Sequence, residues 1–127
     1  MNFAIGRSGF VLATVANIRD QRIEVQFFIK QGDIEAFYHL LLEQKDEIEA
    51  EIGSPLIWKQ LPHRKRSQVT LSLANIDPSN KNDWATQHEW LQRNLESFYR
   101  SFSPRIKALD PADWMPDDED GRPEDVE

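Results

Sequence analysis

Cysteine is missing from all 127 residues, which excludes a disulfide framework, thiolate catalysis, a zinc ribbon and iron–sulfur ligation. Long apolar runs are missing as well. No stretch reaches the roughly 18 consecutive apolar residues that a membrane span needs, so no membrane association is expected. The opening Met1–Arg7 has no basic segment followed by an apolar one, so no secretory signal is visible. Together these absences fit a cytoplasmic protein of a bacterium or phage. Histidine is scarce: His39, His63 and His88 stand alone. None pairs with another at helical spacing, so neither a metal site nor a cofactor is expected.

What is present is an uneven distribution of charge. The chain carries 22 acidic and 15 basic side chains, a formal net charge of −7. Nine of those acids lie between Asp110 and Glu127, against Arg122 alone. Residues 1–109 are therefore close to neutral, and a pI of about 4.9 describes the tail rather than the folded surface. The expected organisation is one domain over 1–109 followed by a disordered acidic tail over 110–127. Trp114 and Met115 are the residues of that tail able to dock as an anchor or to bind a partner.

Hydrophobic periodicity predicts the elements of the domain. Met1–Ile5 is a short apolar strand, Gly6–Gly9 a tight reversal, and Phe10–Ile18 a β-branched and aromatic strand. Arg22–Lys30 alternates cleanly, with Ile23, Val25, Phe27 and Ile29 on one face and Arg22, Glu24, Gln26 and Lys30 on the other. Phe28 alone breaks the polar face. Asp33 is placed to cap a helix running to about Ile52, with Gly53 as its terminator. Leu56–Gln60 and Gln68–Ala74 are two further strands. Asp83 begins a long helix in which Trp84, His88, Leu91, Leu95, Phe98 and Phe102 share a face, and His88 is expected to be a packed core or boundary residue. The order β-β-β-α-β-β-α describes an α+β protein of two layers, a five-stranded antiparallel sheet with two helices on one face.

Catalytic chemistry has little to stand on. Acid–base or phosphoryl-transfer chemistry needs carboxylates converging from strand ends, and Glu24 is the only acid well inside a strand. Glu24-Val25-Gln26 places glutamine where a restriction-nuclease motif has lysine. A metal-dependent nuclease is the remaining catalytic alternative. Gly6-Arg7-Ser8-Gly9 is either an anion-binding nest with Arg7 at its mouth or, as favoured here, a plain hairpin turn. The sharpest feature is basic: Lys59 with His63, Arg64, Lys65 and Arg66. These side chains suit the phosphate backbone of DNA or RNA. The same loop reads equally as a solvated hairpin tip, or as a site for the acidic tail. Trp58 beside it could stack a base, or belong to the core.

Several segments together resemble the bacterial domain of unknown function 4268: Ile5-Gly6-Arg7-Ser8-Gly9-Phe10, Gln44-Lys45-Asp46-Glu47-Ile48-Glu49, Asp83-Trp84, Gln87-His88-Glu89-Trp90-Leu91 and Phe102-Ser103-Pro104-Arg105-Ile106. The resemblance covers nearly all of residues 1–109. It implies an accessory role in a bacterial or phage DNA-processing or defence system, often C-terminal to a restriction-nuclease-like domain, while the missing motifs, absent cysteine and scattered histidines point to a non-catalytic one. It assigns no catalytic residue. Relatives continue upstream with helical sequence, so this chain is either a minimal stand-alone version or a fragment. In both cases an uncovered apolar surface is expected at Phe28 and an open edge at Met1–Ile5, suited to a protein partner or a homodimer. The alternative is a protein–protein module that works through the acidic tail, by nucleic-acid mimicry or self-regulation.

Overall fold

The computed structural model describes residues 1–115. One antiparallel sheet runs through it, built from β1 (Asn2–Ala4), β2 (Phe10–Asn17), β3 (Arg22–Ile29), β4 (Ile57–Leu61) and β5 (Arg66–Ala74), in the order β1-β2-β3-β5-β4. Between β3 and β4 lie α1 (Ile34–Leu42) and α2 (Lys45–Ile52); α3 (Trp84–Ala108) follows β5. The fold is the expected two-layer α+β arrangement.

The alternation in β3 decides which face is covered. Phe10, Leu12, Val25, Phe27, Ile29 and Val69 occupy matching register positions on one side of the sheet. They join Phe37, Tyr38, Leu41, Ile48, Phe98, Phe102 and Ile106 from the helices in a single core. At its centre the Phe27 and Phe102 rings stack with centroids 4.2 Å apart and planes 7° from parallel. An aromatic pair in this geometry adds about 0.5–1.5 kcal/mol beyond the area it buries.

The first helical segment differs from expectation. Asp33 does cap it, accepting from the Ala36 N–H, and Gly53 closes it in the left-handed region at φ 89°. Between them the helix breaks at Gln44, whose N–H reaches back to Leu41 rather than one residue further. The break re-aims the second half, so Ile48 is fully buried while Glu49 and Glu51 face other elements. Glu49 Oε2 accepts from the Leu56 N–H at 2.9 Å and from the Trp58 indole at 3.1 Å, tying α2 to β4. Trp58 thus belongs to the packed layer rather than to a base-stacking platform.

Residues of α3 were expected to bury one stripe, and that stripe sits one position away at its start. Gln87 is buried, bonding the Asp77 carbonyl and the Asp83 carboxylate, whereas His88 is exposed. The expected core histidine is therefore corrected. The fixed point is Phe98 and Phe102 at the far end; an ideal helical period traced back from them reaches position 87. Pro104 removes one internal donor, yet the helix continues to Ala108.

Arg105 clamps the helices together. Its guanidinium bonds both oxygens of Glu51, at 2.7 and 2.8 Å, and its Nε bonds Gln44 at 2.8 Å. Hydrogen bonds from Arg105 and Ser101 hold the Glu51 carboxyl down from 4.5 to about 2. The charged carboxylate therefore adds stability that is fully present above pH 4.5 and is lost as pH falls towards 2. The Glu51 side chain is 50% exposed, which limits this contribution to about 0.5–1 kcal/mol. Glu51→Gln should remove the corresponding drop in melting temperature between about pH 5 and pH 2.5. An acid profile identical to that of the unmodified chain would show that the clamp adds nothing.

Candidate nucleic-acid interface

The sheet's second face carries the other half of the alternation. Arg22, Glu24, Gln26 and Phe28 lie beside Ser72, Thr70, Gln68 and Arg66 on one flank and Val15, Ala13 and Val11 on the other, with Ile57, Lys59 and Leu61 on the edge strand. No helix among the described residues packs on it. A groove of about 270 Å³ follows it, lined by Arg22, Glu24, Gln26, Ile57, Lys59, Gln68, Thr70 and Ser72.

Glu24 forms the floor. Sequence alternation placed it on a solvated face, but it is only 8% exposed because polar neighbours close over it. Its carboxylate accepts from Gln26 at 2.9 Å and Ser72 at 2.9 Å, and Arg22 Nε lies 2.7 Å away. The charge is fully engaged, which ill suits a general base or a metal ligand. Among the described residues no three His, Asp or Glu side chains gather as metal ligands would.

Phe28 is not the uncovered apolar residue that its position on a polar face suggested. It is 5% exposed, because the Arg66 guanidinium lies over its ring, 3.8 Å from the centroid. Periodicity records which face a residue takes, but not that a neighbour's long side chain folds across it. A cation against an aromatic face at this distance contributes about 0.5–2 kcal/mol. Burial, and then the charge of Arg64, lower the Arg66 pKa, and Arg66 remains a cation because arginine does not deprotonate in proteins.

Between β4 and β5 the chain turns through a 3₁₀ turn, Pro62–Arg64, and then Lys65 at φ 51°. This tight hairpin replaces the longer linker the sequence suggested, since β5 begins at Arg66 rather than Gln68. The turn brings His63, Arg64 and Lys65 to an exposed tip. Lys59 and Arg66 stand on the open sheet face below it. Among the described residues none of Lys59, Arg64, Lys65 and Arg66 forms an ion pair, whereas Arg22 and Arg105 do.

Arg7 lies elsewhere. It donates to the carbonyls of Ile106 and Leu109 at 2.7 and 2.8 Å and rests against the Phe37 ring. A cation on the last carbonyls of a helix is a favourable cap. Gly6 permits this turn, because it stands at φ 97°, a backbone conformation that other residues rarely adopt. The Gly6–Gly9 segment is thus a hairpin turn that caps α3, and Arg7 does not join the basic cluster.

The segment after α3 is partly built into the body. A 3₁₀ turn at Pro111–Asp113 is capped by Asp110. Trp114 stacks on His39 with centroids 4.7 Å apart and planes 6° from parallel, so it docks as expected of an anchor. Met115 is exposed. Residues 116–127, and with them most of the expected disordered tail, lie outside the described residues.

Fold and face together define a single-sheet α+β module whose helices cover one side and whose other side ends in a basic hairpin that has no ion pair among the described residues. The chain belongs to the family of the domain of unknown function DUF4268, whose model matches residues 1–106. No curated protein and no solved structure matches it. No helix among the described residues is long and apolar enough to cross a membrane.

Proposed function

We propose that this chain is a non-catalytic accessory domain that holds nucleic acid by its phosphate backbone through the β4–β5 hairpin, in a DNA-processing or defence system. One observation carries the binding half of this reading. Four cations sit on a single hairpin with no carboxylate partner among the described residues, beside a sheet face that no described helix covers. Unpaired cations grouped at this spacing favour an anionic polymer, because each phosphate neutralised releases condensed counterions. The placing in a DNA-processing or defence system follows the resemblance drawn from the sequence. The engaged state of Glu24 supports the non-catalytic half.

The Trp114–His39 stack favours a second, compatible role for the acidic tail. His39 Nε2 lies 3.5 Å from the amide of Gln60, near the end of β4, so Trp114 holds the chain beside the basic hairpin. Seven acids follow within residues 117–127. Extended chain covers about 3.3–3.6 Å per residue, ample to reach the hairpin tip. In this reading the tail competes with nucleic acid for the same cations.

Two measurements test these readings. Arg64→Ala combined with Lys65→Gly removes two charges while keeping the turn, since glycine adopts the φ of Lys65 without strain. Binding to duplex DNA, followed by fluorescence anisotropy across a salt series, should weaken, and the slope of log K against log salt should fall by about 2. No binding by the unmodified chain at low salt would overturn the backbone reading. Truncation after Met115 should tighten binding several-fold at low salt, with the gain vanishing at high salt. An unchanged affinity would make the tail a solubilising appendage.

A further inference from the structure

We propose that the groove on the open sheet face is a base-reading site, so that the nucleic acid this domain holds is single-stranded. The inference rests on the backbone-binding reading above and adds strandedness and a second set of contact residues.

Thr70 carries the argument. It is 6% exposed, and its Oγ1 is buried with no hydrogen-bond partner among the described residues, yet it lines the groove beside Gln26 and Gln68. A buried hydroxyl left unpaired costs stability, and valine would fit a strand equally well. Such a group is explained when a ligand completes it. Its neighbours offer the rest of a recognition edge. In Gln26, Nε2 is spent on Glu24, which leaves the amide oxygen without a partner among the described residues. Gln68 makes no side-chain hydrogen bond among the described residues and stands between Phe28 and Lys59 in register. Amides and a hydroxyl together complement the donor–acceptor edge of a nucleobase, and glutamine pairs most readily with adenine.

The charges order the strand along the sheet. Glu24 and Arg22 neutralise one another at the closed end, so phosphate has no attraction there. Lys59, Arg66 and the hairpin tip lie at the other end. A strand laid along β5 would seat a base at Thr70 and Gln68 and run its phosphates past Lys59 towards Arg64 and Lys65. Duplex DNA offers only the groove edges of its stacked, paired bases and cannot seat a whole base on this floor. Single strands can splay a base into it.

The test uses fluorescein-labelled homopolymers of adenine, cytosine and thymine deoxynucleotides, about 12 nucleotides long, the matching adenine ribonucleotide strand, and a DNA duplex. The full chain should bind adenine strands at least about tenfold tighter than duplex, a difference of about 1.4 kcal/mol. Thr70→Val, alone and with Gln68→Ala, should cut single-strand affinity by about five- to tenfold and flatten base preference, while the salt slope and duplex binding stay unchanged. Thr70→Val should at the same time raise the melting temperature, because it deletes an unpartnered buried hydroxyl. A purely structural Thr70 would give the opposite sign. Equal affinity for duplex and single strand, absence of base preference, or groove variants that bind as the unmodified chain does would each overturn the proposal. In those cases the backbone reading survives if the hairpin variant still loses binding. Absence of any binding at low salt would overturn both. Comparing the ribo- and deoxyribo-adenine strands identifies which sugar the site takes.

Discussion

Phe102 lies flat on Phe27, and the position of every helix depends on that contact. With the rings 4.2 Å apart, α3 must cross the sheet over β2 and β3. Phe98 and Ile106, one turn to either side, are fully buried by the same placement. Once α3 is fixed, Arg105 on its next turn meets Glu51 and Gln44, which positions α1 and α2 on the same side. Arg7 then closes the end of α3 from the β1–β2 turn. All the helical mass goes to one face because the aromatic stack is on that face. The other side of the sheet, a mixture of polar and apolar side chains, is covered by no helix among the described residues.

That division also sorts the charges. Arg7 and Arg105 serve the interior, one as a helix cap and the other as a clamp between helices. Arg22 serves Glu24. Lys59, Arg64 and Lys65 have no such task among the described residues, and Lys59 shares a face with the groove. Charge arithmetic on the sequence separates an acidic tail from a neutral body; geometry separates the body's own cations into those already used and those available. Arg66 belongs to both groups, since it covers Phe28 while its charge stays at the base of the hairpin. Its guanidinium plane ties the packed part of the sheet to the exposed tip.

The strands, the Asp33 cap, the Gly53 terminator and the basic loop were legible in the sequence because each rests on local chemistry: alternation, a short acceptor, a positive φ, a run of charge. The break at Gln44 was not legible, since no proline or glycine marks it. It is imposed by the need to bury Ile48 and present Glu51 to Arg105, partners some fifty residues apart. His88 and Gln87 exchanged places for a related reason: the apolar pattern of α3 is loose at its start, and Phe98 and Phe102 set the phase. Phe28 and Glu24 were misjudged because alternation assigns a face without saying what neighbouring side chains do there. The basic loop was found as a candidate site; the groove was not. Gln26, Gln68 and Thr70 carry no motif, and only strand register brings them together.

The central claim is that the sheet face that no described helix covers, with its hairpin, forms the nucleic-acid surface. Mapping amide chemical shifts while a short single strand is added tests it most directly. The account predicts perturbations concentrated over Arg22–Phe28 and Lys59–Ser72, with the Gly6–Gly9 turn and α3 unaffected. Perturbations centred on α3 or on the Gly6–Gly9 turn, or none at saturating oligonucleotide, would contradict it.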